Sequence, residues 1–237
     1  MNRVSVAVVA LGMMIAFSAG ALYNQESTIT HENMTGTANI VAAAQNSNTG
    51  AVGKVEVEAV KGDGDNLIET DPFVQADTQF SASKARKIAE EYTGKNLGNY
   101  DLIYKIEMDS TVVGGPSAGA AMTLATIASV TDKKVRNKMA ITGTITESGR
   151  IGKVGEIPVK ATAAGQNNIE NLYVPEGQST KVNYQPVLEE ERRGLLVYKD
   201  VEYQRQVFNI SEYTEKNFDT ETSEVGNIYQ AADKMLK

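Results

Sequence analysis

Ser117 lies in Val112-Val113-Gly114-Gly115-Pro116-Ser117-Ala118-Gly119, a glycine-rich turn that opens a run of small and apolar residues reaching about Val130. A serine at that place meets unpaired backbone N–H groups and the positive end of a helix dipole, which suits a nucleophile whose reaction develops negative charge. Pro116 has no N–H, so the oxyanion donors would be the backbone amides of Gly114, Gly115 and Ser117 itself. Turns of this kind also cradle phosphates, and the turn alone leaves that chemistry open. A hydroxyl nucleophile needs a base. The one histidine, His31, sits in a polar stretch near the N-terminus. With a single imidazole so placed, neither a Ser-His-Asp triad nor a two-histidine metal site can be assembled. Lys160 stands in Ile157-Pro158-Val159-Lys160-Ala161-Thr162-Ala163-Ala164, the most apolar setting of any lysine in the chain. Lysine acts as a base only when neutral, so its pKa of about 10.4 must fall to roughly 7–8, a bias of about 4 kcal/mol that burial can supply. The alternative is a lysine snorkelling from a small amphipathic helix. Asp109 lies near the turn in sequence and reads as a surface carboxylate.

These residues need elements to hold them. Val55, Val57 and Ala59 alternate with Lys54, Glu56 and Glu58, and Gly62-Asp63-Gly64-Asp65 offers a turn into Leu67-Ile68-Glu69, a pattern that predicts a β-hairpin. Ser81 or Ser83 would cap a helix with Ala85, Ile88, Ala89 and Tyr92 on one face, ending near Gly94. Leu102, Tyr104, Ile106 and Met108 alternate with Ile103, Lys105 and Glu107 in a strand leading to the Ser117 turn. Lys138–Ile145 reads as a strand, Glu147–Arg150 as a turn and Ile151–Val154 as the returning strand. A helix follows Pro158, a proline suited to a first turn, and stops at Gly165. Leu172-Tyr173-Val174 and Leu195–Tyr198 read as strands, and the charged tail reads as helical at its end. Hairpins with interspersed helices indicate an α+β fold.

The uncharged run Val4–Tyr23, behind Arg3, has about the length a helix needs to cross a bilayer, and Ala19 and Ala21 also fit a cleavable signal peptide. Residues 24–50, rich in Asn, Thr, Ser and Gln, read as a polar spacer with a short strand at Ile40–Ala44. The catalytic domain would then occupy 51–237, with a core at about 52–200 and a C-terminal extension. Asn33-Met34-Thr35 and Asn209-Ile210-Ser211 are glycosylation sequons. A chain of 237 residues, 41% apolar, suits one main domain. The net charge of −7 argues against nucleic acid or an anionic membrane surface as a partner. The absence of cysteine excludes disulfides, cysteine proteases and thiolate metal sites.

From Val52 to Val174, and most densely from Lys105 onward, the chain resembles the proteolytic domain of Lon proteases. The matching segments are Gly115-Pro116-Ser117-Ala118-Gly119, Ile141–Ile145, Ser148–Gly155 and Lys160–Gly165. The resemblance implies Ser117 as nucleophile, Lys160, 43 residues later, as the dyad lysine, and Thr142 as its supporting threonine. Val113–Ser117 and Asp77-Thr78-Gln79 are most similar to the exported or membrane-bound Lon-like proteases of archaea. ATP-dependent Lon enzymes usually carry Lys-Asp before Gly-Pro-Ser, where this chain has Val113-Gly114. No Gly-x4-Gly-Lys-Ser/Thr loop occurs in the sequence. The resemblance thus implies an ATP-independent serine endopeptidase acting on unfolded polypeptides through an acyl-enzyme, with no cofactor or metal. It further implies a homo-oligomeric ring, and a catalytic domain that is extracytoplasmic at the cell membrane or secreted. Two other readings are a peptide-binding module that no longer cleaves and a phosphate-binding, kinase-like domain. The second gives no account of the Lys160 and Thr142 spacing.

Overall fold

The computed structural model describes residues 34–44, 49–69, 73–109, 112–193 and 196–237. The run at 4–23, with its anchor or signal reading, and the sequon asparagine Asn33 lie outside them. Among the described residues no helix is long and apolar enough to cross a membrane.

The first strand, β1 (Met34–Ala43), falls where composition indicated a spacer, and it is the central strand of a seven-stranded sheet. Its small residues mislead. Ala38 and Ile40 are buried on one face and Val41 on the other. Gly36 lies so close to a helix that a Cβ there would run into the Ala125 carbonyl and the Ser129 amide. β2 (Gly50–Lys61) returns antiparallel to β1, pairing Ala43 with Gly50 and Met34 with Ala59. The expected hairpin between β2 and β3 (Asn66–Ile68) does not form. β5 (Tyr100–Glu107) inserts between them, antiparallel to β2 and parallel to β3. The Gly62–Asp65 turn is instead built around Asp101, whose Oδ1 accepts the backbone N–H groups of Asp63, Gly64 and Asp65 at 2.9–3.0 Å. Those bonds to the charged form hold the Asp101 carboxyl below the usual range.

β4 (Phe73–Val74) leads into α1 (Ala76–Thr93), which starts five residues before Ser81. Ser81 does not cap it; its hydroxyl donates back to the Asp77 carbonyl at 3.1 Å. Gly94, at φ 68°, ends it as expected. After β5, the short β6 (Val112–Val113) pairs with β4 and delivers the chain to a 3₁₀ turn, Pro116–Ala118, and then to α2 (Gly119–Ser129), a helix buried all round. Tyr104 of β5 ties both helices to the sheet: its hydroxyl donates to the Ala82 carbonyl and lies 3.0 Å from Thr126 Oγ1.

The strand expected at 138–145 is broken into β7 (Met139–Ile141) and β8 (Thr144–Ile145), and β8 forms a small hairpin with β9 (Ile151–Gly152). α3 (Ile157–Gln166) carries Pro158 in its first turn. β10 (Asn171–Pro175) is followed by two strands of 14 residues, β11 (Thr180–Arg193) and β12 (Leu196–Asn209), which pair only with each other. Asn209 of the second sequon accepts the Glu212 N–H and caps α4 (Ile210–Phe218). β13 (Glu221–Val225) and α5 (Ile228–Met235) complete the chain.

The sheet order is β13-β10-β7-β1-β2-β5-β3, with β1–β7, β7–β10, β10–β13 and β3–β5 parallel. Residues alternating along its strands feed two cores. One takes α1, α2 and α5 against Val55, Val57, Leu102 and Ile141; the other takes α3 and α4 against Val41, Ala140, Leu172 and Val174. The α+β expectation is therefore refined to a mixed α/β fold with helices on both faces. The C-terminal segment is no appendage: Val225, Ile228, Ala231, Met235 and Leu236 are buried in the first core.

Candidate active site

The break in the strand expected at 138–145 is what builds the site. Thr142 keeps one bond to the sheet, its N–H donating to the Tyr173 carbonyl at 3.0 Å, and Gly143 then turns toward the Ser117 turn, where its N–H donates to the Ser117 carbonyl at 2.9 Å and the Ala120 N–H donates to the Gly143 carbonyl at 3.1 Å. These two bonds clasp the start of α2 to the end of β7. Gly115 precedes the 3₁₀ turn at φ 87°, a backbone that glycine adopts without a Cβ penalty. Its carbonyl accepts the hydroxyl of Thr78, which is fully buried on α1. The Asp77-Thr78-Gln79 segment thus reaches the site through Thr78, while Gln79 is exposed.

Lys160 lies one turn into α3 and is 4% exposed. Its Nζ donates to Thr142 Oγ1 at 3.2 Å, and the Thr142 hydroxyl in turn donates to the Ser117 carbonyl at 3.4 Å. Burial lowers the Lys160 pKa from 10.5 to about 8, against a smaller opposing effect of the Glu156 carboxylate. Ser117 and Lys160, contributed by different helices, line one open cleft of about 350 Å³ together with Gly114, Gly115, Pro116 and Thr144. All five residues singled out from the sequence, Gly114, Gly115, Ser117, Thr142 and Lys160, are brought together. Asp109 is exposed and is not part of the cleft lining.

Several lining residues escaped the sequence reading. Ala42 and Ala43 come from the end of β1, hidden by its resemblance to a spacer, and Lys153 and Glu156 come from the loop between β9 and α3. Glu156 has φ 56° at the N-cap of α3, an uncommon conformation for a non-glycine residue with no local sequence signature. Gln75, just before α1, folds its side-chain amide over Gly114. Among the described residues no three acidic or histidine side chains are grouped to hold a metal ion.

The model of the Lon protease (S16) C-terminal proteolytic domain matches residues 12–211. The chain belongs to this Lon proteolytic-domain family. Similar curated proteins include the Lon protease of Lachnoclostridium phytofermentans, 41% identical over 96 residues, which are 40% of this chain and 11% of that protein. The Lon protease of Mycoplasma pneumoniae is 33% identical over 128 residues, 52% of this chain and 16% of that protein. The mitochondrial Lon protease homolog 1 of Arabidopsis thaliana is 31% identical over 122 residues, 51% of this chain and 13% of that protein. The match therefore spans a small fraction of each Lon relative's length.

Proposed function

We propose that this Lon-family domain is a serine endopeptidase using Ser117 and Lys160 as a catalytic dyad. The observation that carries the reading is the linkage of a buried lysine, its pKa lowered to about 8, to the Ser117 turn through Thr142, with Lys160 and Ser117 both lining one cleft. Neutral Lys160 takes the proton of the Ser117 hydroxyl as its oxygen attacks a peptide carbonyl, and the protonated lysine then donates to the leaving amine. Water activated by the same lysine releases the acid product and regenerates Ser117. The amides of Gly114, Gly115 and Ser117 stabilise the oxyanion, and Thr142 orients the lysine so that its lone pair faces the serine.

The substrate is an extended or unfolded polypeptide. β3 covers β5 only as far as Tyr104, which leaves the outer edge of Lys105–Glu107 without a strand partner among the described residues, a place where a substrate strand can add. The reaction proposed for the dyad uses no nucleotide, and the sequence carries no Gly-x4-Gly-Lys-Ser/Thr loop. We further propose membrane attachment or export through 4–23, an extracytoplasmic catalytic domain of the archaeal Lon-like kind, and assembly into a homo-oligomeric ring. The test is incubation with unfolded casein without ATP, beside folded Ser117→Ala and Lys160→Ala forms. Cleavage by the wild type alone supports the dyad and ATP independence together; equal cleavage by all three overturns the roles given to Ser117 and Lys160.

A further inference from the structure

The arm formed by β11 and β12 is a two-stranded ribbon about 45 Å long. Two-stranded ribbons are marginal in water unless a face is covered. Its register puts directly opposed residues on one face: Val182 with Val207, Tyr184 with Arg205, Pro186 with Tyr203, and Leu188 with Val201. The six large apolar residues of these rows are 40–65% exposed. The other face is mostly polar, with Asn183 opposite Gln206, Gln185 opposite Gln204 and Val187 opposite Glu202; Gln206 Nε2 donates to Gln185 Oε1 across the first two rows at 2.9 Å, and Phe208 on this face packs against Tyr213. The arm is therefore amphipathic with its apolar face uncovered.

We infer that this face is an exosite that binds apolar segments of an unfolded polypeptide and feeds them toward the Ser117 cleft. The inference rests on the peptidase reading of that cleft. What points to substrate is continuity: a second groove of about 220 Å³ at the arm's base, lined by Gly177, Gln178 and Thr180, which precedes Val182 on the same face of the ribbon, shares Lys153, Val154 and Glu156 with the cleft. The shared wall is fixed by Gln178, whose side chain accepts the Val154 N–H at 2.9 Å and donates to the Val154 carbonyl at 2.7 Å. The apolar rows extend about 20 Å, the length of roughly six residues of extended chain. Arg205 and the Glu190–Lys199 ion pair, 2.7 Å apart, lie on the same face, and hydrocarbon would not accept them without cost.

The experiment uses the full-length chain carrying Ser117→Ala, titrated with fluorescein-labelled, reduced and carboxymethylated α-lactalbumin, against the same chain with Tyr184→Ser, Leu188→Ser and Tyr203→Ser added. The expected result is affinity weakened about tenfold or more, with circular dichroism and Tm retained. Single Tyr203→Ser and Leu188→Ser forms, each weakened in part, keep the test valid should the triple variant misfold. Equal affinity overturns the exosite. So does a triple variant that keeps its affinity but loses self-association in sedimentation, which assigns the face to a second copy, or loses binding to phosphatidylglycerol vesicles, which assigns it to lipid. If arm substitution weakens binding but the Ser117-bearing chain cleaves nothing, the exosite stands and the peptidase reading fails. If that chain cleaves and arm substitution changes nothing, the reverse holds.

Discussion

Lys160 is held at a cost, and the cost has a sign that can be measured. Burial lowers its pKa from 10.5 to about 8, so between those values the unfolded chain carries a proton there and the folded chain does not. Stability is therefore reduced in full below about pH 8 and recovers as pH rises toward 10.5. At about 1.4 kcal/mol per pKa unit the reduction is about 3 kcal/mol. Lys160→Met should remove it, raising the Tm at pH 7 by about 6 °C while abolishing cleavage; a Met form less stable than the parent at pH 7 contradicts a buried, destabilising lysine. In the proposed dyad the same group is the base, and kcat/KM should rise with pH through a limb near 8. Thr142→Val deletes the acceptor that favours protonated Lys160, so kcat/KM should fall about 10–100-fold with the limb displaced to lower pH, while Thr142→Ser should restore both. A limb unmoved by Val would leave Thr142 only a packing role.

At the level of elements, the site depends on a helix and a strand lying unusually close. Gly36 of β1 faces α2, where a Cβ would meet the Ala125 carbonyl and the Ser129 amide. Gly36→Ala should therefore cost about 3 kcal/mol by displacing α2, which is read as a Tm drop of about 6 °C or more and a loss of cleavage at temperatures where the variant is still folded. A drop under 1 °C would mean that the contact relaxes freely. The same closeness explains what the sequence concealed. Strands built from large alternating residues, such as Leu102, Tyr104 and Ile106, were legible, as were the helix ended by Gly94 and the helix opened by Pro158. Of β1 only the end was legible, as the short strand at Ile40–Ala44; residues 34–39 were not, because a strand pressed so closely against a helix is written there in glycine, alanine and threonine, the vocabulary of a spacer. The five candidate residues could be named because Ser117, Thr142 and Lys160 each sit in a recognisable segment. Their mutual geometry was not legible, since it comes from the break at Thr142-Gly143, which periodicity reads as one strand.

The whole molecule divides its last third into a part that is core and a part that is not, and truncation should separate them. β13 extends the sheet beside β10, while Ile151 N–H donates to the Gly226 carbonyl and Ile228 N–H to the Gly149 carbonyl, both at 2.8–2.9 Å. The C-terminal residue is paired twice with Lys134. Ending the chain at Phe218 would uncover the partners of Val225, Ile228, Met235 and Leu236, four large side chains each worth about 1.5–3 kcal/mol when buried. That approaches the whole stability of a typical domain, about 5–15 kcal/mol. The truncated chain should lose its cooperative thermal transition and bind a hydrophobic dye. The arm is the opposite case, because its strands pair only with each other and its side chains are largely exposed. Replacing Asn183–Gln206 by Asn-Gly, a turn suited to a two-residue hairpin, should leave the Tm within about 2 °C. Cooperative unfolding that survives loss of the tail, or collapses with loss of the arm, would reverse this division and place the stabilising contacts in the ribbon.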